Sequence, residues 1–448
     1  MLHRIENKMS RTQIIALGYF LVIAIGTLLL LLPVSTEPGE STSFLTALFT
    51  ATSATCVTGL VVVDTSIHWT MFGQTVILAM IQIGGLGFVT IGVLFAMFLN
   101  KKITLKTRGL LQESMNTNQV GGVVRLTRKV LMGTLLIEAA GAFLLALRFI
   151  PEFGFWKGSA FGIFHSISAF CNAGFDLMGG SRGAYNSFVS YSDDLLVNLV
   201  VMSLIVIGGI GFLVWDDVTR HGLHFHKYRL HTKLVLSVTA VLIFGGALLF
   251  YIFERKNLMQ GMGAKETVLT SLFSAVTART AGFNTIDTAA LTTSSKLLTI
   301  VLMFIGGSPG STAGGIKTTT LIVMLIYVIS NLRNSRGCNV FGRRLEDDAI
   351  RKASNVTVIS LFLAVSASII ICYLQPLPLE DVLFEVFSAI GTVGMSTGIT
   401  RDLTAASRLV IVFLMYCGRI GSMAFALSFM ERKKVAPVQC PMEKVMIG

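Results

Sequence analysis

Residues 49–60 read FTATSATCVTGL, and a related stretch recurs three more times along the 448-residue chain. The counterparts are FHSISAFCNAGF at 164–175, SLFSAVTARTAGF at 271–283 and EVFSAIGTVGM at 385–395. Each copy contains a phenylalanine, a serine or threonine near an alanine, and a glycine followed by a large apolar residue. Those glycines, Gly59, Gly174, Gly282 and Gly394, are 115, 108 and 112 residues apart. Such a regular spacing indicates four copies of one structural unit.

Apolar segments flank every copy of this stretch. Hydrophobic residues make up 53% of the chain and charged residues 13%, whereas soluble domains average about 25% charged residues. This composition excludes a soluble enzyme, a disordered chain and a coiled coil, and it predicts a polytopic helical membrane protein. The first apolar segment is about 20 residues long and lacks an A-x-A cleavage site, which favours a spanning helix over a signal peptide. Segments long enough to cross about 30 Å of hydrocarbon occur at 13–33, 75–99, 130–150, 196–215, 233–253, 297–305 continuing past 316, 356–374 and 409–429.

The short stretches lie between the two long segments of each unit and are too short to cross the membrane. We therefore predict an all-α polytopic membrane protein built from four M1-pore helix-M2 repeats. Two crossings return the chain to its starting side, so the repeats are expected to be parallel and to surround a central ion pore with pseudo-fourfold symmetry. The short stretches cover 43–60, 159–175, 268–283 and 381–395. The predicted repeats are 1–100, 101–220, 221–335, which contains a broken M2, and 336–448, which includes a C-terminal tail.

The distribution of basic residues predicts the orientation in the membrane. The N-terminus, the three loops between units and the C-terminus contain 24 of the 36 Lys and Arg residues but only 9 of the 24 acidic residues. By the positive-inside rule, both termini and these loops face the cytoplasm of a multi-pass plasma-membrane protein. The short stretches then enter the membrane from the outside. The segments counted are 1–11, 100–129, 216–233, 331–355 and 430–448.

The turns that end the short stretches are candidates for binding a cation. Irregular backbone inside a membrane is tolerated only where it is buried in protein or lines a water-filled cavity, and glycine permits dihedral angles that are closed to other residues. Rings of backbone carbonyls can replace the water shell of a monovalent cation. We therefore predict a selectivity filter in which each unit supplies three residues. These are Val57, Thr58, Gly59, Asn172, Ala173, Gly174, Thr280, Ala281, Gly282, Thr392, Val393 and Gly394.

A second glycine motif follows in the second long segment of each unit. It reads IGGLG at 83–87, IGGIG at 207–211, IGGS at 305–308 and CGRIG at 417–421. Two motifs that recur together strengthen the fourfold interpretation. Packing of helices through small residues explains the second motif equally well without any direct role in conduction.

The third unit departs from the others because residues 306–315 read GGSPGSTAGG. Relative to alanine, each glycine costs a helix about 1 kcal/mol and proline about 3 kcal/mol, so this segment should break the helix. Lys317 follows, and a lysine at membrane depth should face a pore, a cavity or an interface. We predict a mobile gating loop; the alternative is a flexible kink with a snorkelling Lys317. The predicted gating residues here are Gly306, Gly307, Ser308, Gly310, Gly314, Gly315 and Lys317.

Four more charged residues in the predicted membrane region have an expected role. Arg419 replaces the second motif glycine of the fourth unit, where it would repel the permeant ion or hold the loop through its carbonyls; a structural ion pair is the alternative. Arg279 is expected behind the filter, paired with Glu385 of the neighbouring pore helix. Glu138 is expected to form a structural pair, and a proton or sodium relay is the alternative.

Several motifs together resemble one known family. They are Leu86-Gly87-Phe88, Asn172-Ala173-Gly174-Phe175, Arg279-Thr280-Ala281-Gly282-Phe283 and Gly391-Thr392-Val393-Gly394. With them, nearly the whole chain resembles the Ktr-type membrane subunit of the Trk/Ktr/HKT potassium transporter superfamily. The resemblance implies potassium uptake, one pore per chain, a homodimer and a cytoplasmic ring of nucleotide-binding (RCK/KTN-type) regulatory subunits. It also implies a gating intramembrane loop and an arginine constriction.

The resemblance further suggests which ions the chain handles. Some plant members of the superfamily that admit sodium have serine in the place of the first filter glycine, so Gly59 favours potassium. K⁺ is the expected permeant ion, with Na⁺ as a candidate modulator. We expect no cofactor bound by this chain, no other metal and no nucleic-acid partner, because no glycine-rich nucleotide motif or Cys-x-x-Cys pair occurs.

Three other interpretations remain on the sequence alone. Residues 306–310 match the G-x-S-x-G nucleophile elbow around Ser308, but they lack its strand-turn-helix context and a nearby histidine, so we predict that the chain is not an enzyme. Sodium- or proton-coupled potassium symport would use the same filter and is the alternative function. Four histidines in one loop are more typical of a solvated surface than of a metal site. They are His221, His224, His226 and His231.

Overall fold

The computed structural model describes residues 9–99, 103–115, 122–335 and 337–421, together with positions 425, 443 and 446. Parts of three sequence predictions lie outside the described residues. These are the first residues of the basic N-terminus, parts of the loop at 100–129, and most of the chain beyond 421, including the predicted tail.

Four M1 helices account for the long continuous membrane segments. Each has 20 to 31 residues, and at 1.5 Å per residue each is long enough to cross the hydrocarbon core. Ser10 caps the first of them by accepting a hydrogen bond from the Gln13 amide, while the Gln13 side chain accepts one from the Ser10 amide. The M1 helices are Arg11–Leu30, Val123–Phe153, Leu230–Glu254 and Asp347–Leu374.

A short helix follows M1 in every unit and ends deep inside the protein. With 12 to 16 residues these helices do not span the membrane. Each has at least one fully buried phenylalanine, so protein rather than lipid surrounds that part of the helix; these are Phe49, Phe170, Phe273 and Phe384. The short helices are Phe44–Thr55, Phe155–Phe170, Ala264–Thr277 and Leu379–Gly391.

The M2 helices start in the same way in all four units. Each begins after a residue whose side-chain oxygen accepts a hydrogen bond from a backbone amide of the first turn, which satisfies a group that the helix leaves unpaired. These capping residues are Thr70, Asp194, Thr292 and Thr404. The M2 helices are Met71–Leu86, Leu195–Gly209, Thr293–Phe304 and Ala405–Ile420.

The apolar segments 75–99 and 196–215, which the sequence presents as long enough to span the membrane, are bent helix pairs and not continuous helices. Gly87, Gly211 and Gly421 have φ angles of +82°, +95° and +94°, values that end an α-helix and favour glycine. After the first two breaks, helices Phe88–Phe98 and Phe212–His221 leave at 97° and 99° to the preceding helix. Among the described residues, four helices are long and apolar enough to cross a membrane, or six if each bent pair counts as one span.

The third M2 is broken differently and more extensively. Its helix ends at Phe304, the chain continues without helix through 305–317, and helix Thr318–Leu332 follows. This confirms the predicted break in the helix of the third unit. Its position follows from the run of glycines with one proline, which cannot sustain a helix.

The four units pack around a common axis, with short helices and M2 helices inside and much of M1 outside. Ion pairs reinforce the contact between units 3 and 4, where Lys296 Nζ lies 3.1 Å from Glu380 Oε1 and 3.3 Å from Asp381 Oδ1. The predicted all-α arrangement of four repeats is confirmed. The two-stranded hairpin Asn339–Val340 with Arg343–Arg344 is the strand pairing found in the described part of the chain.

Candidate ion-conduction site

The four predicted filter turns share one backbone conformation. Val57, Asn172, Thr280 and Thr392 have φ angles of +57°, +59°, +78° and +50°, although none of them is glycine. Two residues later, Gly59, Gly174, Gly282 and Gly394 have φ angles of +93°, +68°, +83° and +91°. Non-glycine residues in this region are uncommon and cluster at functional sites. The same departure from ordinary backbone geometry therefore occurs at the same place in every unit.

The four glycines form a closed ring. A methyl group built on Gly59 would lie 2.5 Å from the Ala173 carbonyl oxygen, and one on Gly174 would lie 2.7 Å from the Ala281 oxygen. A methyl group on Gly282 would lie 2.5 Å from the Val393 oxygen.

The ring closes between the last unit and the first. A methyl group on Gly394 would collide with the Thr58 carbonyl oxygen. Each unit thus places the carbonyl of its middle filter residue against the glycine of a neighbour, in the order 1, 2, 3, 4. Four turns that are far apart in the chain therefore meet at one place.

Hydroxyl groups of the short helices hold these turns. Ser53 Oγ accepts a hydrogen bond from the Gly59 amide at 3.1 Å, and Ser388 Oγ accepts one from the Gly394 amide at 3.1 Å. In the other two units the hydroxyl donates instead, from Ser168 to the Phe175 carbonyl and from Thr277 to the Phe283 carbonyl. These four residues had no role in the predictions from sequence, although a serine or threonine recurs at this place in each copy.

Three filter side chains carry buried hydroxyl oxygens without a hydrogen-bond partner. They are Thr58, Thr280 and Thr392, each 0% exposed. Buried polar atoms are nearly always paired, so an unpaired group needs an explanation. Oxygen atoms next to a ring of carbonyls are suitable ligands for a hard monovalent cation.

The second glycine motif packs M2 against the end of the short helix in the same unit. A methyl group on Gly84 would collide with the Thr55 carbonyl, and one on Gly208 would collide with the Phe170 carbonyl. The same relation holds between Gly418 and the Ile390 carbonyl. Close packing through small residues therefore accounts for the first glycine of the motif in units 1, 2 and 4.

The 305–317 segment, which we call the crossing loop, is anchored on the second unit. The Ser308 amide donates to the Gly209 carbonyl at 2.9 Å, and the Thr312 amide donates to the Gly208 carbonyl at 3.3 Å. The Phe212 amide donates to the Gly310 carbonyl at 2.7 Å. The loop is thus held in place by backbone hydrogen bonds to unit 2. These contacts differ from those expected of a flexible kink.

The crossing loop reaches the filter through the fourth unit. A methyl group on Gly314 would collide with the Thr392 hydroxyl, and one on Gly315 would lie 3.0 Å from the Gly391 carbonyl oxygen. Gly306 lies against the Gly314 carbonyl, and Gly307 lies beside the Gly209 carbonyl. The loop therefore lies directly against the filter ring.

Arg419 joins the loop to two other units. Its guanidinium donates to the Thr312 carbonyl of the loop and to the Gly84 carbonyl of unit 1, and Nη2 is 3.1 Å from the Gly85 carbonyl oxygen. Among the residues that the structure describes, its hydrogen-bond partners are carbonyl oxygens, so these contacts do not form the structural ion pair that was the alternative. Holding the loop through its carbonyls is the expectation that matches these contacts.

Lys317 is also held by the crossing loop. Its Nζ donates to the Ala313 carbonyl at 2.6 Å and to the Gly314 carbonyl at 3.2 Å. Both acceptors belong to the loop itself, so the lysine closes the loop on itself. This contact does not match the snorkelling alternative.

The predicted pair of Arg279 and Glu385 is wrong. Arg279 is 7% exposed, and its Nη2 donates to Thr239 Oγ1 at 3.5 Å. Its Nε has no hydrogen-bond partner among the described residues. Glu385 instead accepts hydrogen bonds from the Ser396 and Thr400 hydroxyls at 2.8 and 2.5 Å. The reason is local, because Glu385 is directed toward the segment that follows the turn of its own unit.

Glu138 has polar partners and no ion pair. Gln82 Nε2 donates to Glu138 Oε2 at 3.1 Å, and the Cys171 thiol lies 4.0 Å from Oε1. The expectation of a structural role fits these contacts, but the partner is an amide and not a cation. The network lies beside the turn of unit 2, since Cys171 immediately precedes Asn172.

The remaining sequence motifs have structural contacts. Ser308 Oγ shares a hydrogen bond with Thr318 Oγ1 at 3.0 Å, and no histidine takes part. His221 Nδ1 lies 3.1 Å from Asp217 Oδ1 in the loop that also contains the other histidines. Within the described ranges, no group of three metal-ligating side chains forms.

Comparisons with known proteins place the chain in one family. The model of the TrkH family, described as a cation transport protein, matches residues 3–436. The chain is 42% identical to the potassium/sodium uptake protein NtpJ of Enterococcus hirae, with 99% of each chain covered. It is also 42% identical to the Ktr system potassium uptake protein B of Bacillus subtilis, with 97% of this chain and 96% of the relative covered.

A solved structure shows the same fold at low sequence identity. The potassium transporter TrkH of Vibrio parahaemolyticus superposes with a TM-score of 0.73 at 17% identity. The match covers 94% of this chain and 86% of that chain.

Proposed function

The chain belongs to the TrkH family of cation transport proteins, and we propose that it conducts potassium into the cell through the ring of four turns. It is a membrane transporter and not an enzyme, and K⁺ is the ion that its relatives are named for taking up. The closed ring of Gly59, Gly174, Gly282 and Gly394 is the observation that carries the proposal. It brings equivalent carbonyls from four separate units to a single axis.

Conduction through this ring needs oxygen atoms that replace the hydration shell of the ion. The backbone carbonyls of the twelve filter residues and the unpaired hydroxyls of Thr58, Thr280 and Thr392 would supply them. The four short helices end immediately before the turns. The C-terminal end of a helix carries a partial negative charge, equivalent to about half an electron charge, that stabilises cations. Both features favour a dehydrated monovalent cation.

We further propose that the crossing loop and Arg419 form the gate. The loop lies against the filter through Gly314 and Gly315, and Arg419 ties it to units 1 and 4. In this arrangement the loop blocks the axis, and the guanidinium adds a positive charge near the path. Opening would require Arg419 to release the Thr312 carbonyl and the loop to leave units 2 and 4. The other gating residues, including Lys317, would stabilise the closed loop.

Orientation and partners are part of the same proposal. The excess of Lys and Arg in the termini and inter-unit loops supports cytoplasmic placement of those segments in the plasma membrane. Relatives named as proteins B and D of a Ktr system support assembly with further subunits. We infer a homodimer regulated by a cytoplasmic nucleotide-binding ring of the RCK/KTN type, with Na⁺ as a candidate modulator. The basic cytoplasmic loops would receive that ring.

Reconstitution tests the proposal directly. The purified protein in liposomes loaded with a fluorescent K⁺ indicator should admit K⁺ down its gradient and should prefer K⁺ over Na⁺. Uptake rescue in cells that lack their own potassium uptake, with and without a co-expressed regulatory subunit, gives an independent measurement. Inserted protein that passes neither ion in both assays would overturn the proposed function.

A further inference from the structure

Two of the four short helices carry an ionisable side chain at the same position relative to the filter. Glu385 and His165 each lie nine residues before the filter glycine of their unit, Gly394 and Gly174. Their exposed fractions are 1% and 0%. Burying such groups is costly unless hydrogen bonds compensate. Both have hydrogen bonds to the segment that follows the filter.

Glu385 binds the chain just beyond the fourth turn. Its two carboxylate oxygens accept from Ser396 and Thr400, at 2.8 and 2.5 Å. Ser396 also accepts from the Gly398 amide at 2.9 Å, and its hydroxyl oxygen lies 2.9 Å from that of Thr400. One carboxylate thus fixes the segment that begins two residues after Gly394.

In the second unit, the imidazole ring of His165 holds the segment that follows the filter. Its Nε2 accepts from the Leu177 amide at 3.1 Å, which leaves the proton on Nδ1. Nδ1 then donates to the Phe161 carbonyl at 2.7 Å, within the same short helix. Leu177 lies three residues after Gly174, so the contact again holds the exit of the turn.

The other two units lack this connection. At the same distance from the filter glycine, unit 1 has Thr50 and unit 3 has Phe273. The buried hydroxyl of Thr50 has no hydrogen-bond partner among the described residues. The ring of glycines follows the order 1, 2, 3, 4, so units 2 and 4 lie opposite each other. The two connected turns therefore form one diagonal of the ring.

We propose that Glu385 and His165 are positioning residues that hold this diagonal of the filter at a fixed width and so sharpen its preference for K⁺ over Na⁺. The inference rests on the proposed function of the ring. Na⁺ is smaller than K⁺, so carbonyls must move inward to coordinate it, and an anchored filter exit resists that movement. Neither side chain needs to touch the ion.

The test compares Glu385→Ala and Glu385→Gln in liposomes, with K⁺ and Na⁺ fluxes measured separately. Removing both hydrogen bonds should lower the ratio of K⁺ to Na⁺ flux by about fivefold, the factor that corresponds to roughly one net hydrogen bond. Glutamine has the same shape and can still bond both hydroxyls, so it should restore most of the ratio. His165→Phe, which removes the acceptor for Leu177, should lower the ratio in the same direction.

Glu254→Gln is the matched control. Glu254 is 0% exposed and accepts hydrogen bonds from Thr292 and Asn257, but it lies at the end of an M1 helix and not beside the filter. If a general loss of stability caused the change in flux ratio, Glu254→Gln would change the ratio too. We expect the ratio to change only in the Glu385 and His165 variants.

Two outcomes distinguish a failure of the positioning role from a failure of the proposed function. If the wild-type protein shows no preference for K⁺, the proposed function fails. If the wild-type protein is selective and Glu385→Ala keeps its ratio, the positioning role is wrong. Should Glu385→Ala not insert, Ser396→Ala removes one bond from the opposite side, and an unchanged ratio there overturns the inference equally.

Discussion

Arg419 of the fourth unit and Thr312 of the third are joined by a hydrogen bond although 107 residues separate them in the chain. The same guanidinium reaches the Gly84 and Gly85 carbonyls of the first unit. One side chain therefore connects the crossing loop to units 1 and 4, with which the loop shares no backbone hydrogen bond in the described part of the chain. This makes Arg419 the first residue to change when testing the gate.

We expect Arg419→Gln to raise K⁺ flux measured without the regulatory subunit. Hydrogen bonds to charged groups contribute about 1.5 to 3 kcal/mol, so the open fraction should rise by about tenfold or more. Arg220→Gln is the control, because Arg220 is exposed and pairs with Asp216 far from the filter in the chain. Equal flux in both variants, at equal amounts of inserted protein, would contradict the gating role of Arg419.

Deleting residues 308–314 should raise ion flux without changing the ratio of K⁺ to Na⁺. The deletion removes Gly314, which lies against Thr392, but it leaves the twelve filter residues intact. Measuring K⁺ and Na⁺ flux in liposomes tests both the increase in flux and the unchanged ratio. A deletion variant that inserts correctly and conducts like the wild type would show that the loop is not a gate.

Gly59→Ser should weaken selectivity for K⁺ over Na⁺. The φ angle of Gly59 is +93°, and a side chain there would meet the Ala173 carbonyl at 2.5 Å, so the ring must distort. Gly245→Ser is the control, because no atom lies within 4 Å of a side chain built there. The assignment of the first turn to the filter is wrong if the two variants keep the same flux ratio as the wild type.

Gly208→Ala should destabilise the protein by about 1 to 3 kcal/mol, as overpacking of a tight interior commonly does. The added methyl group would collide with the Phe170 carbonyl at the end of the short helix. Gly245→Ala, in a helix and in open space, should be neutral or slightly stabilising. Thermal unfolding in detergent measures both, and equal midpoints would argue against close packing at Gly208.

The reversal potential should follow the K⁺ gradient alone. The proposed pore would conduct down the electrochemical gradient, and Glu138, the buried acid beside the second turn, is bound by the Gln82 amide. Imposing a Na⁺ or proton gradient across the liposomes at constant K⁺ should leave the reversal potential unchanged. A shift larger than simple permeation of the second ion explains would favour coupled symport.

Sequence and structure differ most where a helix changes direction. Gly87, Gly211 and Gly421 stand in apolar segments whose composition favours a continuous span, yet their φ angles end the helix. Composition predicts the partition of a segment into the membrane but does not predict the dihedral angle of one residue within it. The loop of the third unit was predictable because ten consecutive small residues or proline cannot form a stable helix.

The partners of buried charges were the least predictable feature. Arg279 and Glu385 were expected to pair because opposite charges at membrane depth usually do. In the structure Glu385 binds two hydroxyls of its own unit, while Arg279 lies beside Thr239. Charge alone does not determine which way a side chain points on its helix.

By itself, the sequence determined the membrane class, the fourfold repeat and the four glycines that end the recurring turns, because hydropathy and local backbone constraints are encoded in short stretches of chain. Tertiary structure decided that the Thr58 carbonyl meets Gly394, that Arg419 reaches Thr312, and that Glu385 binds Ser396. Each of these contacts depends on how the units turn toward a shared axis. That orientation results from the packing of all four units together, and no single stretch of sequence contains it.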